Sequence, residues 1–549
     1  MNSLWLLLAG TCALAAGYRF YAAFSEKKIW GVDHSRKTPA VEYGDGLDYM
    51  PAKHWSILFG HHFSSIAGAG PIIGPVVACA MFGWGPAALW VILGSIFIGG
   101  IHDYSALILS LRHKGKSVGQ VSETVINRRC RLVFSFFLWL ALVLIVAVFA
   151  AVTAQTLVVK PEIVIPTLGL IPIAVLLGFM VYRWNVKQLP ATVVALLLMA
   201  GSIYAGEVFP VQLAFPQAMA FWTALLLVYA YIASVVPVNL LLQPRDYLSM
   251  VVLFLGLLLG YAGVFVSHPK MSAPFYIQAP AGSAGLWPAM FVLIACGAIS
   301  GFHSLVSSGT TSKQLARKRD AKRITFGGML LEAAMSLLAI ISVCAGLFWS
   351  GGPEGMVYPE LAEKSGWIVT FGKGYGNLTA PLVGAAAGTT IAVFLLNSFV
   401  MTTLDSATRI TRYLTEEIFG ESLKRKKMNN KYVFGVISVA AAACLAFGSW
   451  QVIWPVFGAA NQLIAALVLL TASVYLLQRG RPSLYTLLPA LFMAVTTVFA
   501  LGSGMVVFWR QKAYILVAVS AALLLLSCDM LKEAYLALAA ARGTRAGGR

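Results

Sequence analysis

Ser64-Ser65-Ile66-Ala67-Gly68-Ala69-Gly70-Pro71-Ile72-Ile73-Gly74-Pro75 interrupts the middle of a long apolar run. Three glycines and two prolines fall within eight residues, and together they remove a backbone donor and lower helix propensity sharply. The spacing predicts that the helix unwinds here. In lipid, backbone groups freed by such a break must be met by protein or by a polar cavity, so a break at mid-depth lines a binding site. Pro71 then opens a new half-helix, whose N-terminal dipole favours an anionic group. The competing reading is a packing face, because Gly70 and Gly74 have the Gly-x-x-x-Gly spacing of helix contacts. A nucleotide loop is disfavoured: Gly68-x-Gly70-x-x-x-Gly74 departs from GxGxxG, and no strand precedes it.

Lipid is the solvent implied by the rest of the chain. Of 549 residues, 59% are hydrophobic and 11% charged, against about 25% charged in soluble domains. Apolar runs of about 20 residues recur from end to end, each long enough to cross a hydrocarbon core. Splitting them at charges and turns gives an all-α polytopic membrane protein of about fifteen spans: 3–22, 54–83, 84–111, 132–156, 165–182, 189–206, 218–242, 247–267, 286–312, 324–350, 379–411, 432–449, 451–478, 484–508 and 513–533. With the N-terminus outside, the lysines and arginines of the short loops gather on one side. These are Lys27, Lys28, Arg36 and Lys37, then Arg112 to Arg131, Lys313 to Arg323, Arg412 to Lys431, and Arg479 with Arg481. The other side keeps only Lys160, Lys270, Lys364, Lys373, Arg510 and Lys512. The positive-inside rule then sets the C-terminus in the cytoplasm, and the +19 net charge reflects topology rather than nucleic acid. The run Leu4 to Ala16 has its basic residues after it, which favours a retained span over a signal peptide. The whole chain reads as one membrane domain, 1–549. Glu360 to Trp367, in the outside loop from Gly351 to Asn377, has the makings of a short surface helix. Seven scattered cysteines have no metal-ligand spacing and read as packing residues; no metal and no cofactor is expected.

A second hydrophilic stretch, Ser300-Gly301-Phe302-His303-Ser304-Leu305-Val306-Ser307-Ser308-Gly309-Thr310-Thr311-Ser312, lies at the inner half of the ninth span. It is either a second break or a frayed end before Lys313. The second and ninth spans run in opposite directions and each heads a series, about 54–208 and 286–478, as inverted repeats do; the helices of about 484–533 are extra. By analogy with LeuT-type transporters, Thr402, Thr403, Asp405 and Ser406 on the third member of the later series suit a cation site against the first break. This gives a LeuT-like inverted-repeat core with discontinuous helices.

Ionisable groups within spans are functional candidates, since each costs free energy in lipid. They are His61, His62, His102, Asp103, His303, Glu332 and Asp405. Asp405 stands one turn before Arg409, so a structural ion pair is its plain reading. Asp103 beside His102 suits proton uptake and release near neutral pH. Coupling is assigned to one of Asp103, Glu332 or Asp405.

His61-His62-Phe63-Ser64-Ser65 through Gly74-Pro75, Gly83-Trp84-Gly85-Pro86, Gly99-Gly100-Ile101-His102-Asp103-Tyr104, Ser300-Gly301-Phe302-His303-Ser304, Thr403-Leu404-Asp405-Ser406-Ala407-Thr408-Arg409 and Phe457-Gly458-Ala459-Ala460-Asn461-Gln462-Leu463 resemble the carbon starvation protein A (CstA) family, over roughly residues 25 to 480. The resemblance implies an inner-membrane transporter related to the amino acid, polyamine and organocation superfamily, expressed when carbon is short and taking up peptides or, with protons, pyruvate. The expectation is proton symport of a small carboxylate such as pyruvate, with peptide uptake as the alternative. Gly68, Ala69, Gly70 and Pro71 would face the substrate, with Ser64, Ser65, His303 and Ser304 as hydrogen-bonding groups. Sodium stays open as coupling ion, through Thr402, Thr403 and Ser406. An intramembrane enzyme is disfavoured by the lack of H-E-x-x-H or of Gly-x-Ser-x-Gly with a matching His. A sensor would carry an output domain, and a channel a ring of acids.

Overall fold

In the computed structural model, residues 1–45, 49–236, 241–278, 285–422, 430–448 and 450–546 are described. They are helical, with no β-strand among them beyond two isolated bridges, Asn2 to Lys270 and Phe348 to Val357. Twelve helices are long and apolar enough to cross a membrane, or thirteen if one bent pair counts as a single span. In chain order the first are Ser3–Trp30 (α1), Trp55–Ile66 (α2) and Gly70–Phe82 (α3), the bent pair, then Trp84–Arg112 (α4), Arg128–Val159 (α5), Pro161–Val181 (α6), Gln188–Val208 (α7), Ala218–Val235 (α8) and Leu242–Ser267 (α9). Three short pieces follow, Leu286–Leu293 (α10), Ala295–Ala298 (α11) and Gly301–Gly309 (α12). The remainder are Lys318–Gly346 (α13), Tyr358–Val383 (α14), Ala385–Phe419 (α15), Lys431–Ala446 (α16), Val452–Gln478 (α17), Leu484–Arg510 (α18) and Tyr514–Ala541 (α19).

The first break falls where the glycines and prolines put it. The helix stops at Ile66, Ala67 leaves helical geometry at φ −76°, ψ 69°, and α3 restarts with a 43° bend. In the ninth span the break lies at the leading edge of the polar stretch Ser300 to Ser312 rather than along it. Ile299 and Ser300 are the extended residues, while Gly301–Gly309 is regular helix, in which Ser304 and Ser308 turn their hydroxyls onto carbonyls of their own helix.

A second difference concerns 351–411. The loop expected outside is helical from Tyr358, which takes in the stretch Glu360 to Trp367 expected as a short helix, kinks at Gly366 (φ 80°) and runs on to Val383. The next span starts at Ala385, not 379, after Gly384 at φ 83°. Glycine tolerates this left-handed region without a Cβ clash and so ends one helix and aims the next. Of the basic loop residues expected inside, Lys424, Arg425, Lys426 and Lys427 lie outside the described residues.

Lipid offers no hydrophobic drive for helix association, so close backbone approach at small residues takes that role. A Cβ at Gly70 would collide with the Cys296 side chain, and one at Gly74 with the Leu293 carbonyl. In this way α3 lies directly against α10 and α11, and the two broken helices meet. Helices α2, α3, α4, α12 and α13 pack together, α5 packs against α15, α16 and α17, and the two sets meet where α17 contacts α4 and α12 and where α15 contacts α2.

Candidate functional site

The two breaks border a small cavity of about 10 Å³, room for about one water molecule. Gly68, Gly70 and Pro71 of the first break line it, with Cys296, Ser300 and Phe302 of the second, Thr403 of α15, Asn461 of α17 and apolar neighbours such as Phe149 and Phe457. Asn461 holds the second break. Its Oδ1 accepts from the Phe302 amide at 2.8 Å, and its Nδ2 donates to the Ser300 hydroxyl at 3.0 Å and to the Cys296 sulfur at 3.2 Å. One of the orphan amides that open α12 is thereby met by a side chain from another helix. On the first break, the Ala69 carbonyl accepts from the amides of Ile72 and Ile73, and the Ser336 hydroxyl of α13 donates to the Pro71 carbonyl at 2.8 Å. A far larger cavity, about 990 Å³, opens at the ends of α4 and α17 among Arg36, Arg112, Lys318, Arg479 and Arg481. It touches neither break, so the small central cavity is the candidate site.

Beside the break lies a chain of buried ionisable groups. His102 Nδ1 is 2.8 Å from Asp103 Oδ1, His303 Nδ1 is 2.9 Å from Asp103 Oδ2, and His303 Nε2 is 3.1 Å from Glu332 Oε2. The last contact is close enough for an ion pair but lacks hydrogen-bond geometry, and both Glu332 oxygens are without a partner. All four side chains are fully buried, and they join α4, α12 and α13. Such a chain can hold a proton and pass it along only if its members stay in contact, as here. His62 Nδ1 stands 2.9 Å from the Thr311 hydroxyl.

The remaining sequence candidates form a second cluster. The Thr403 hydroxyl donates to the Ser65 carbonyl at 3.2 Å, and the Ser65 and Ser406 hydroxyls are 3.2 Å apart. Ser64 donates to the Asp246 carbonyl and Ser304 to the Gly301 carbonyl. Of the expected substrate contacts, Gly68, Gly70 and Pro71 line the cavity; Ser64, Ser65, Ala69, His303 and Ser304 do not, each facing another element or its own helix.

The expected Asp405–Arg409 ion pair does not form. Arg409 donates to the carbonyls of Ala233 and Val236 at 2.6 and 2.5 Å, while Asp405 is paired with Arg245 of α9 and accepts from the Tyr229 hydroxyl at 2.8 Å. Spacing along one helix gave the nearest charge in sequence, but tertiary packing brought a nearer one from 160 residues away. Arg245, Asp246 and Asn461 were missed as site residues. The signal for the first two is their place between two apolar runs, with Asp246 Oδ2 now 2.7 Å from His61 Nδ1; for Asn461 it is the pair of amides, Asn461-Gln462, in mid-span.

The chain matches the family described as carbon starvation protein CstA over residues 2–350 and 354–500. It is 30% identical to the pyruvate/proton symporter BtsT of Escherichia coli, covering 91% of this chain and 81% of that protein. To the peptide transporter CstA of Bacillus subtilis it is 32% identical, with 91% and 90% covered. Among solved structures, the manganese transporter of Eremococcus coleocola superposes with a TM-score of 0.52 at 11% identity, over 91% of this chain and 99% of that one; that likeness is one of fold. The chain is therefore a multi-pass membrane protein that belongs to the carbon starvation protein CstA family.

Proposed function

We propose that this chain is a secondary transporter of the bacterial inner membrane that imports a small carboxylate such as pyruvate by proton symport when carbon is short. The observation that carries the reading is the meeting of two helix breaks at one small cavity, next to a buried Asp103–His303–Glu332 chain. The half-helix opening at Gly70 and Pro71 faces the carboxylate with its positive end, and Asn461 shapes the other side by holding the second break. Asp103 or Glu332 carries the coupling proton. Fifteen crossings result when α2 with α3, α10 to α12, and α16 each count as one span and α14 as none. The N-terminus is then outside. Spans α2 to α7 and α10 to α17 form two repeats of opposite direction that rock against each other, and α18 and α19 are additions. The relatives named peptide transporters support peptide uptake as the second reading, which asks for a larger cavity and a group for the peptide amine.

Labelled pyruvate is offered to proteoliposomes of the purified protein with an inward proton gradient in sodium-free buffer. Accumulation above equilibrium that collapses with a protonophore is expected. No pyruvate uptake, with a labelled dipeptide accumulating instead, replaces this reading by the peptide one.

A further inference from the structure

The polar arc of α15 that the sequence left open to a proton or a sodium ion already has a cation on it. With 3.6 residues per turn, Asp405, Thr402, Ser406 and Thr403 stand side by side around this helix in that order. The hydroxyl end of the arc meets α2 at Ser65. The acidic end meets α9, where Arg245 Nη1 donates to Asp405 Oδ2 and, at 2.7 Å, to the Tyr229 hydroxyl. Arg245 Nη2 stands 3.4 Å from the Thr402 hydroxyl. The Arg245 side chain is fully buried and that of Asp405 nearly so. Its neighbour Asp246 binds His61 through its carboxylate and Ser64 through its carbonyl, so two adjacent residues of α9 tie the inner half of the broken helix to α15.

We infer that Arg245 is the resident cation of this site: its guanidinium supplies the charge that a bound sodium ion would supply between α15 and the open end of α2, so transport does not require sodium. A guanidinium stays charged at any pH the protein meets, and a buried carboxylate without a counter-charge is costly. A sodium ion added beside Arg245 would set two cations against the single carboxylate of Asp405 at short range, where repulsion in a low dielectric is strong. Arg245 is thus a positioning residue, holding the arc as an occupied cation site holds it. Arg245 Nε and Asp405 Oδ1 have no partner, which leaves the pair less saturated than one kept for stability alone, since breaking even in the interior depends on satisfying such atoms.

The inference rests on the transporter reading above, so its test includes a measurement that needs no substrate. Thermal unfolding of the purified chain in detergent, and pyruvate uptake in proteoliposomes, are followed in sodium, choline and non-denaturing guanidinium salts for the wild type, Arg245→Ala and Arg245→Lys. The wild type is expected to unfold and transport alike in sodium and choline. Arg245→Ala should lose most uptake, then gain thermal stability and recover uptake severalfold when guanidinium or sodium is added, because a ligand that binds only the folded site stabilises it. Arg245→Lys should keep uptake with no response to sodium. Sodium stimulation or sodium stabilisation of the wild type overturns the inference. So does a double variant, Arg245→Met with Asp405→Asn, that transports as well as the wild type, since that marks a structural pair. Should Arg245→Ala fail to fold, the wild-type sodium series and Arg245→Lys decide the matter. A wild type that takes up no pyruvate in any salt counts against the pyruvate reading alone, and the unfolding series then decides on Arg245.

Discussion

Asn461 shows how much one side chain can hold when lipid supplies no water to replace it. Its amide meets the Phe302 amide, the Ser300 hydroxyl and the Cys296 sulfur, so Asn461→Ala strands two strong hydrogen-bonding groups at the second break. A cost of about 1–3 kcal/mol is expected for the unmet donor, read as a lower unfolding midpoint in detergent together with weakened uptake. Unchanged stability would show that the break is held by other contacts. Glu332 predicts a different split. Glu332→Gln removes the negative charge 3.1 Å from His303 while keeping shape, so uptake driven by a proton gradient should fall by about tenfold or more, the usual scale for loss of one coupling interaction. Exchange of pyruvate across the membrane without a gradient should persist. Loss of both activities in a folded variant would assign Glu332 to substrate binding instead. What sequence made visible at this scale was identity rather than partnership. Every ionisable residue singled out within a span is buried, yet Asp405 bonds Arg245 and not Arg409, because helical spacing ranks only neighbours on the same helix. The polarity of Ser64 and Ser304 suggests substrate groups, yet the Ser304 hydroxyl bonds a carbonyl of its own helix, a route that serine in a helix has open, and that of Ser64 bonds the Asp246 carbonyl of α9.

Glycine and proline act through their own backbone, and for that reason the first break was legible to within a residue or two, while the polar stretch from Ser300 marked only the edge of the second. In the ninth span the disruption comes from Ile299 and Ser300, residues of ordinary helix propensity, held extended by Asn461 from another element. The left-handed glycines at 366 and 384 likewise turn an expected loop into Tyr358–Val383, since their signal is a single residue within a long apolar context. The meeting of the two broken helices gives a sharp element-scale prediction. Gly70→Leu should abolish transport while leaving membrane insertion intact, because a side chain at Gly70 runs into Cys296. The milder Gly70→Ala should cost about 1–3 kcal/mol of stability, the range for overpacking a tight core, and Cys296→Gly in the same chain should return part of it by vacating the contested space. Normal uptake by Gly70→Leu would mean that the close approach of α3 and α11 plays no part in transport.

At the scale of the whole molecule, the central cavity of about 10 Å³ is too small for any carboxylate, whose smallest members exceed the roughly 30 Å³ share of a water molecule in the liquid. The structure is therefore a closed form, and on the transport reading proposed above passage of substrate requires the repeat α2 to α7 to move against the repeat α10 to α17. Ser65 and Ser406 sit on opposite sides of that division with their hydroxyls 3.2 Å apart, on the inner half of the broken helix. Cysteines at these two positions, in a chain whose exposed Cys12, Cys444 and Cys528 are replaced by serine, are close enough to join when oxidised. The join would fix α2 to α15. Uptake should stop on oxidation and return on reduction, with each single-cysteine variant unaffected by either treatment. Full uptake by a demonstrably joined protein would place the moving boundary elsewhere, and the repeats could then no longer be described as rocking against each other at Ser65.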